Sequence, residues 1–156
     1  MHFEHERALG YASFGPKVVY SARTIENTLE ERVVKFTRRH NGQAHILLFG
    51  HGYASKLLFD GLKHTTFPRP AENYMIVMSY VQDSPECPSR GEGYLELRAV
   101  LGILHETRLV FGDLRYPNII VSTIRFKQKP VMPVDFDWRG KDGMDFYPWD
   151  INMGNS

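Results

Sequence analysis

The chain has 156 residues, of which 19 are lysine or arginine and 18 are aspartate or glutamate, so its formal charge is +1. This length fits a single domain that can bury a core without disulfides. The balanced charge excludes a strong field of one sign. We therefore expect no nucleic-acid partner and no attachment to an anionic membrane surface by charge alone.

Cys87 is the only cysteine, which excludes an intramolecular disulfide and a zinc site built on cysteine pairs. The beginning of the chain, MHFEHERALGYASFG, lacks the charged start and apolar run of a secretory signal. The longest apolar runs are far shorter than the roughly 20 residues that a membrane span needs. The sequence thus predicts a cytoplasmic or nuclear protein with no membrane partner.

The first half of the chain has the pattern of a series of strands. β-branched and aromatic residues predict strands over residues 17–22 and 31–37, and the polar stretch between them predicts an antiparallel hairpin. Asn41 is a suitable N-cap for a short helix that Gly50 and Gly52 would end. The runs KLLFD and YMIVMSYV predict two further strands, joined by a loop that contains two prolines.

The second half begins after a run rich in proline, glycine, serine and charge, which predicts a hinge. Leu97, Leu101 and Leu104 then recur at helical spacing and predict a helix over residues 92–107. Two short strands follow, around NIIVSTIRF and PVMPVDFDW. Together the elements predict one α+β domain over residues 1–156. It has a strand-rich part at 17–81, a hinge at 82–93, and a part at 94–156 that contains the long helix and two short strands.

The first candidate segment for chemistry is VFGDLRYPN, which follows the predicted helix. Asp113 and Asn118 lie five residues apart, with the cationic Arg115 between them. Polar side chains on a loop between a helix and a strand are held by rigid elements, which is a common setting for a site. Taken alone, such a loop is more often a turn stabilised by bonds from side chains to the backbone.

The second candidate segment is VMPVDFDW. In an extended chain Asp135 and Asp137 project from one face and Phe136 from the other. Two carboxylates and the Asn118 carboxamide are hard oxygen ligands that suit Mg²⁺. A lone DFD is more often the solvated end of a strand, but the two segments in this order after a helix favour a site.

The two segments resemble motifs of the protein-kinase fold. Residues 111–118 read FGDLRYPN, residues 134–140 read VDFDWRG, and Tyr147-Pro148 follows. The small kinase-like proteins common in filamentous fungi often have HGDLRxxN in the catalytic loop and VDFDWAG, then YP, at the metal-binding strand. The resemblance spans about residues 17–148 and implies a kinase-like α+β fold with a truncated helical lobe.

The resemblance implies roles in phosphoryl transfer for three residues. Lys35 corresponds to the strand-three lysine that binds the phosphates of ATP. Asp113 corresponds to the residue that orients the acceptor hydroxyl and takes its proton. Arg115 lies where many kinases have a lysine, and it would neutralise charge on the transferred group.

The resemblance also implies sites for the cofactors ATP and Mg²⁺. Asn118 and Asp135 would hold Mg²⁺ between the phosphates, and Asp137, in place of the glycine of the DFG motif, would help to bind it. The run YMIVMSYV corresponds to the fifth strand and the hinge. The residues whose backbone groups would bind adenine are Ser79, Tyr80 and Val81.

Several positions differ from the family pattern. Gln43 stands where a helix glutamate normally pairs with the lysine, and Phe111 replaces the histidine of the catalytic loop. Residues 10–15 contain two of the three glycines of a nucleotide-covering loop. The chain also ends at Ser156, before the helices that dock a peptide in a full protein kinase. We therefore expect a small acceptor, or a chain that is a fragment or a degenerate copy.

Three functions are consistent with these residues. The first is an ATP- and Mg²⁺-dependent phosphotransferase that acts on a hydroxyl of a Ser/Thr protein or a small molecule. The second is a catalytically impaired pseudokinase, which binds a nucleotide or serves as an interaction module. The third is a Mg²⁺-dependent hydrolase that uses Asp113, Asp135 and Asp137.

Overall fold

The computed structural model describes residues 3–11, 18–24, 30–64, 73–81, 90–115, 118–121, 131–137 and 139–141. The elements of the first half are, in chain order, β1 Phe3–Tyr11, β2 Val18–Thr24, β3 Glu31–Thr37, α1 Gly42–Gly50, β4 Leu57–Asp60 and β5 Tyr74–Ser79. Those of the second half are α2 Arg90–Glu106, β6 Leu109–Phe111, β7 Ile119–Val121, β8 Val131–Pro133 and β9 Arg139–Lys141. Among these described residues, no helix is long and apolar enough to cross a membrane.

The first half forms a five-stranded antiparallel sheet with the order β1-β2-β3-β5-β4. Strand β3 lies in the middle of the sheet. Because side chains alternate along a strand, Val34 joins an apolar cluster with Ala22 and Val77, and Lys35 and Thr37 share the opposite face. The predicted α+β class and the antiparallel pairing of the strands now labelled β2 and β3 are confirmed.

Helix α1 begins and ends as predicted. The Asn41 side chain caps it by accepting a hydrogen bond from the Ala44 N–H at 3.0 Å, and its last residue is Gly50. Ala44 and Leu48 are fully buried in a second apolar cluster, to which α2 contributes Val100 and Leu104. This cluster packs helix α1 against helix α2 of the second half of the chain.

The N-terminal region differs from the prediction. Sequence patterns place the first strand at residue 17, but β1 precedes it and pairs with β2. Gly10 therefore lies in a strand opposite Val19, and the loop expected over residues 10–15 begins within β1. Strand β1 is not recognisable in the sequence because EHERALG lacks the β-branched alternation of a typical strand. Residues 12–17 lie outside the described residues.

Helix α2 begins earlier than predicted, within the segment expected to be a hinge. Helix α2 covers Arg90–Glu106, so residues 90–93 belong to the helix, and residues 82–89 lie outside the described residues. Two glycines in its first turn, Gly91 and Gly93, weaken the helical pattern there. The pair formed by β6 and β9 is also unpredicted, because three residues are too few to show a period.

Gly61 and Gly102 offer a matched pair of substitutions by alanine. A Cβ on Gly61, in the 3₁₀ turn after β4, would lie 2.7 Å from the Met75 backbone oxygen. A Cβ on Gly102, inside α2, would meet no described atom within 4 Å. In urea denaturation we expect Gly61→Ala to lower the free energy of unfolding by about 1–3 kcal/mol and Gly102→Ala to raise it by about 0.5–1 kcal/mol. If Gly61→Ala were more stable than Gly102→Ala, the result would contradict the close packing of this turn on β5.

Tyr53 connects the segment after α1 to helix α2. Its hydroxyl donates a hydrogen bond to Glu96 Oε2 at 2.6 Å. Burial first, and then the hydrogen bond and negative charge of Glu96, raise the pKa of Tyr53 from 10.0 to about 12. The folded protein therefore keeps a proton that the unfolded chain loses. This contribution to stability is complete below about pH 10 and is lost as the pH rises toward about 12.

We expect Tyr53→Phe to lower the free energy of unfolding by about 1.5–3 kcal/mol at pH 8, because a hydrogen bond to a charged group is lost. Between about pH 10 and pH 12, stability should then fall less steeply in the variant than in the wild type. Urea denaturation across this range measures both effects. Tyr94→Phe is the matched control, since Tyr94 is 66% exposed, and its curve should follow the wild type. If the free energy of unfolding fell equally steeply with pH in the wild type and in Tyr53→Phe, the raised pKa of Tyr53 would be contradicted.

Candidate functional site

Lys35 lies between two carboxylates from the far end of the chain. Its Nζ is 2.6 Å from Asp135 Oδ1 and 2.6 Å from Asp137 Oδ1, across separations of 100 and 102 residues. The side chains of Lys35 and Asp137 are 5% and 3% exposed, and that of Asp135 is 17% exposed. Charge-assisted hydrogen bonds of this length are strong, so the sheet and the 135–137 segment are fixed to each other here.

The two aspartates reach Lys35 from a turn, which corrects the extended conformation predicted for VMPVDFDW. Strand β8 ends at Pro133, and Asp135 has a left-handed backbone with φ 63°. Aspartate adopts this conformation more readily than most residues. The turn brings both carboxylates to one ammonium while Phe136 packs into the core. Such a backbone outlier is common at binding sites.

Phe136 fixes the turn to the start of α1. It is 2% exposed, its ring stacks on His45 at 4.3 Å, and its backbone oxygen accepts a hydrogen bond from the Asn41 N–H at 2.9 Å. The His45 ring is itself held between two partners, with Nε2 2.9 Å from the Ser55 oxygen and Nδ1 3.1 Å from His40 Nε2. The positions of both aspartates therefore depend on a packed aromatic stack between them.

The loop after β6 brings together the other three predicted polar residues. Asn118 Nδ2 lies 2.9 Å from both the backbone oxygen and Oδ2 of Asp113, and Arg115 Nε lies 2.9 Å from Asp113 Oδ1. Asp113 and Asn118 are buried, while the Arg115 side chain is 47% exposed. The backbone oxygen of Asn118 accepts from the Val134 N–H at 2.8 Å, so this loop adjoins the turn that carries the two aspartates.

Phe111 and Gln43, the two departures from the family pattern on described elements, lie in different environments. Phe111 is buried, and its ring centre is 6.4 Å from that of Phe136. The loop is thus braced by apolar packing at the position where the family has histidine. Gln43 is exposed on α1, whereas Lys35 binds carboxylates of the 135–137 turn.

The predicted adenine-binding residues lie at the end of β5, whose Ile76 pairs with Lys35. The Ser79 N–H donates to the Lys56 oxygen at 2.9 Å, and the Tyr80 N–H donates to the Glu31 oxygen at 3.3 Å. The backbone N–H groups of Ser79 and Tyr80 are thus already hydrogen-bonded within the fold.

The donor groups fit Mg²⁺ to different degrees. Asn118 Oδ1 and the Asp135 carboxylate are hard oxygen ligands. Asp137 fits less well, because its Oδ1 binds Lys35 and its Oδ2 accepts from the Thr37 hydroxyl at 2.6 Å. The described residues include no group of three His, Cys, Asp or Glu side chains arranged to hold a metal. Magnesium usually completes its shell with phosphates and water, so two protein ligands suffice for its chemistry.

Three contributing residues are absent from the sequence-based candidates. Thr37 could have been found, because it lies two residues from Lys35 and so shares its strand face. The stacking of His45 on Phe136 and the backbone bond of Asn41 have no local sequence signal, since their partners are about ninety residues away along the chain.

No protein-family model and no curated protein sequence matches the chain. The fold and the site define its class: an α+β domain whose antiparallel sheet presents a buried lysine to an aspartate-bearing turn.

Proposed function

We propose that the protein is an ATP- and Mg²⁺-dependent phosphotransferase of the protein-kinase-like superfamily, which transfers the γ-phosphoryl group to a hydroxyl acceptor. The observation that carries the proposal is the contact of Lys35 Nζ with Asp135 at 2.6 Å. A lysine of the central strand and an aspartate 100 residues later meet, beside a loop that carries Asp113 and Asn118.

The order of the elements supports this proposal. The resemblance implies a lysine on the third strand, a helix after it, and a fifth strand that leads to the hinge. In the fold, Lys35 is on β3, α1 follows, and β5 ends at Ser79. The DLRYPN loop and the DFD turn then follow α2 in the implied order. The proposal includes both kinds of acceptor, a Ser/Thr protein and a small molecule; no nucleic acid or membrane partner is proposed.

In the proposed reaction, Asp113 accepts the proton of the acceptor hydroxyl as the hydroxyl oxygen bonds to the γ-phosphorus. The bond from that phosphorus to the β–γ bridging oxygen breaks, and ADP leaves. Arg115 holds the Asp113 carboxylate through Oδ1, and Asn118 holds it through Oδ2. Lys35 would orient the phosphates, while Asn118 and Asp135 would hold Mg²⁺, which neutralises charge on the transferred group.

The second candidate is a pseudokinase, a nucleotide-binding or interaction module without turnover. Buried Phe111 favours it, because an apolar ring holds the loop where the family has a polar histidine. Asp113 and Asn118 are hydrogen-bonded to each other at 2.9 Å beside Phe111, but a phenyl ring offers the loop no hydrogen bond of its own. A cytoplasmic or nuclear location is proposed for either candidate from the single cysteine, Cys87.

Two measurements separate the candidates. Thermal unfolding with ATP, with and without Mg²⁺, tests binding, since a ligand of the folded state raises its stability. Transfer of ³²P from [γ-³²P]ATP to protein and small hydroxyl acceptors, and to water, tests turnover. The phosphotransferase predicts a Mg²⁺-dependent shift and transfer. A shift without transfer would leave the nucleotide-binding pseudokinase, and no shift would exclude both functions that require a bound nucleotide.

A further inference from the structure

We propose that Asp137 is the counter-ion that positions Lys35, with Thr37 as its anchor, and that it does not bind the metal. The inference rests on the proposed function, because it assigns a role toward Mg·ATP. Both aspartates of the DFD motif bond Lys35, and the inference divides their tasks toward the cation: Asp135 would bind it, and Asp137 would serve the lysine alone.

The first observation is that both oxygens of Asp137 are already bonded. Oδ1 lies 2.6 Å from Lys35 Nζ, and Oδ2 lies 2.6 Å from Thr37 Oγ1. Thr37 is 2% exposed, and its hydroxyl also accepts from the Arg39 N–H at 3.3 Å. A metal would have to compete for the remaining lone pairs of a buried carboxylate that already has an ammonium and a hydroxyl at 2.6 Å, which disfavours coordination by Asp137.

The second observation is the difference in access between the two carboxylates. The Asp137 side chain is 3% exposed, and the Asp135 side chain is 17% exposed. Magnesium dehydrates reluctantly and keeps several waters when proteins bind it. Asp135 is therefore the more accessible of the two carboxylates to a hydrated ion, whereas Asp137 is buried against the sheet residues Lys35 and Thr37.

This arrangement changes the interpretation of Gln43, which stands where the kinase pattern has a glutamate that pairs with the lysine. A neutral amide at that position need not impair Lys35, because Asp137 supplies the opposite charge and Gln43 is exposed. Lys35 and Thr37 lie two residues apart on one face of β3. Each donates a hydrogen bond to one of the two carboxylate oxygens of Asp137. The direction of the ammonium is thus set by the sheet and the 135–137 turn, without a glutamate from α1.

The test uses Mn²⁺ as a probe of the metal site, together with a non-hydrolysable ATP analogue. Electron paramagnetic resonance of free Mn²⁺ gives the metal affinity, and calorimetry gives the affinity for the analogue. We expect Asp135→Asn to weaken Mn²⁺ binding by at least about tenfold, and Asp137→Asn and Thr37→Val to change it by less than about twofold. Asp137→Asn and Thr37→Val should instead weaken analogue binding by about tenfold, the size of one charge-assisted hydrogen bond.

One further variant, together with Thr37→Val, keeps the test decisive. Thr37→Ser retains the hydroxyl and should restore analogue affinity to within about twofold of the wild type, a rescue that a purely steric role of Thr37 would not give. Thr37→Val is nearly isosteric, so it carries the test if Asp137→Asn does not fold.

Equal loss of Mn²⁺ affinity in Asp137→Asn and Asp135→Asn would overturn the division of tasks and leave the phosphotransferase intact. Wild-type analogue affinity in Thr37→Val would overturn it as well. A wild-type protein that binds neither Mn²⁺ nor the analogue would refute the proposed function itself, together with this inference.

Discussion

Replacing Asp113 by asparagine is expected to lower the rate of the proposed phosphoryl transfer by about 10²- to 10⁴-fold, because the acceptor hydroxyl would lose the group proposed to take its proton. The fold should persist, since an asparagine oxygen can still accept from Asn118 Nδ2 as the Asp113 carboxylate does at 2.9 Å. We expect the free energy of unfolding to fall by less than about 1.5 kcal/mol. Initial rates of ³²P transfer and urea denaturation measure the two effects.

Leu114→Ala is the matched control for this substitution. Leu114 is the next residue of the same loop and is 37% exposed, so its truncation should change the transfer rate by less than about twofold. A wild-type rate in Asp113→Asn would show that this carboxylate does not take the proton. An equal loss in Leu114→Ala would show that the loop is merely sensitive to any substitution.

Replacing Lys35 by methionine is expected to have the largest effect on stability. The change removes the ammonium shared by Asp135 and Asp137 in a buried site, and breaking a buried ion pair from one side costs about 3–5 kcal/mol. Affinity for Mg·ATP should fall as well, because the phosphates lose a cation. Urea denaturation measures the free energy of unfolding, and calorimetry at a temperature where the variant is folded measures nucleotide binding.

Lys56→Met provides the comparison, since Lys56 precedes β4 and is exposed. It should change the free energy of unfolding by less than about 0.5 kcal/mol. If Lys35→Met were as stable as Lys56→Met, the two short contacts of Lys35 would contribute little to the fold. The link between sheet and turn would then be too weak to organise a site.

Local sequence patterns were sufficient to predict the position of a residue where that position depends only on its own helix or strand. Asn41 caps α1 because a side-chain oxygen meets an N–H three residues away, which the sequence shows directly. Lys35, with β-branched neighbours on a central strand, was likewise placed on the correct strand. Strand β1 was not predicted from the sequence, because its pairing with β2 compensates for a composition that does not favour strands.

The site was harder to predict because its hydrogen bonds join residues that lie about a hundred positions apart along the chain. The expected extended DFD segment is wrong: the backbone of Asp135 is left-handed, and the Asn41 N–H and the His45 ring fix Phe136 between the aspartates. Such tertiary contacts override the local preference for a strand. The participation of Thr37 depends on the same turn, because the carboxylate to which its hydroxyl donates belongs to Asp137.

The most direct test of the magnesium–nucleotide site is the affinity of the wild-type protein for ATP, measured by calorimetry in excess Mg²⁺ and again in excess chelator. A cation held beside Lys35 by Asn118 and Asp135 predicts binding that is at least about tenfold tighter with Mg²⁺, with most of that difference lost in Asp135→Asn. Equal affinity in the two buffers, or a difference that survives in Asp135→Asn, would contradict the assignment of this turn as the place where the metal and the phosphates meet.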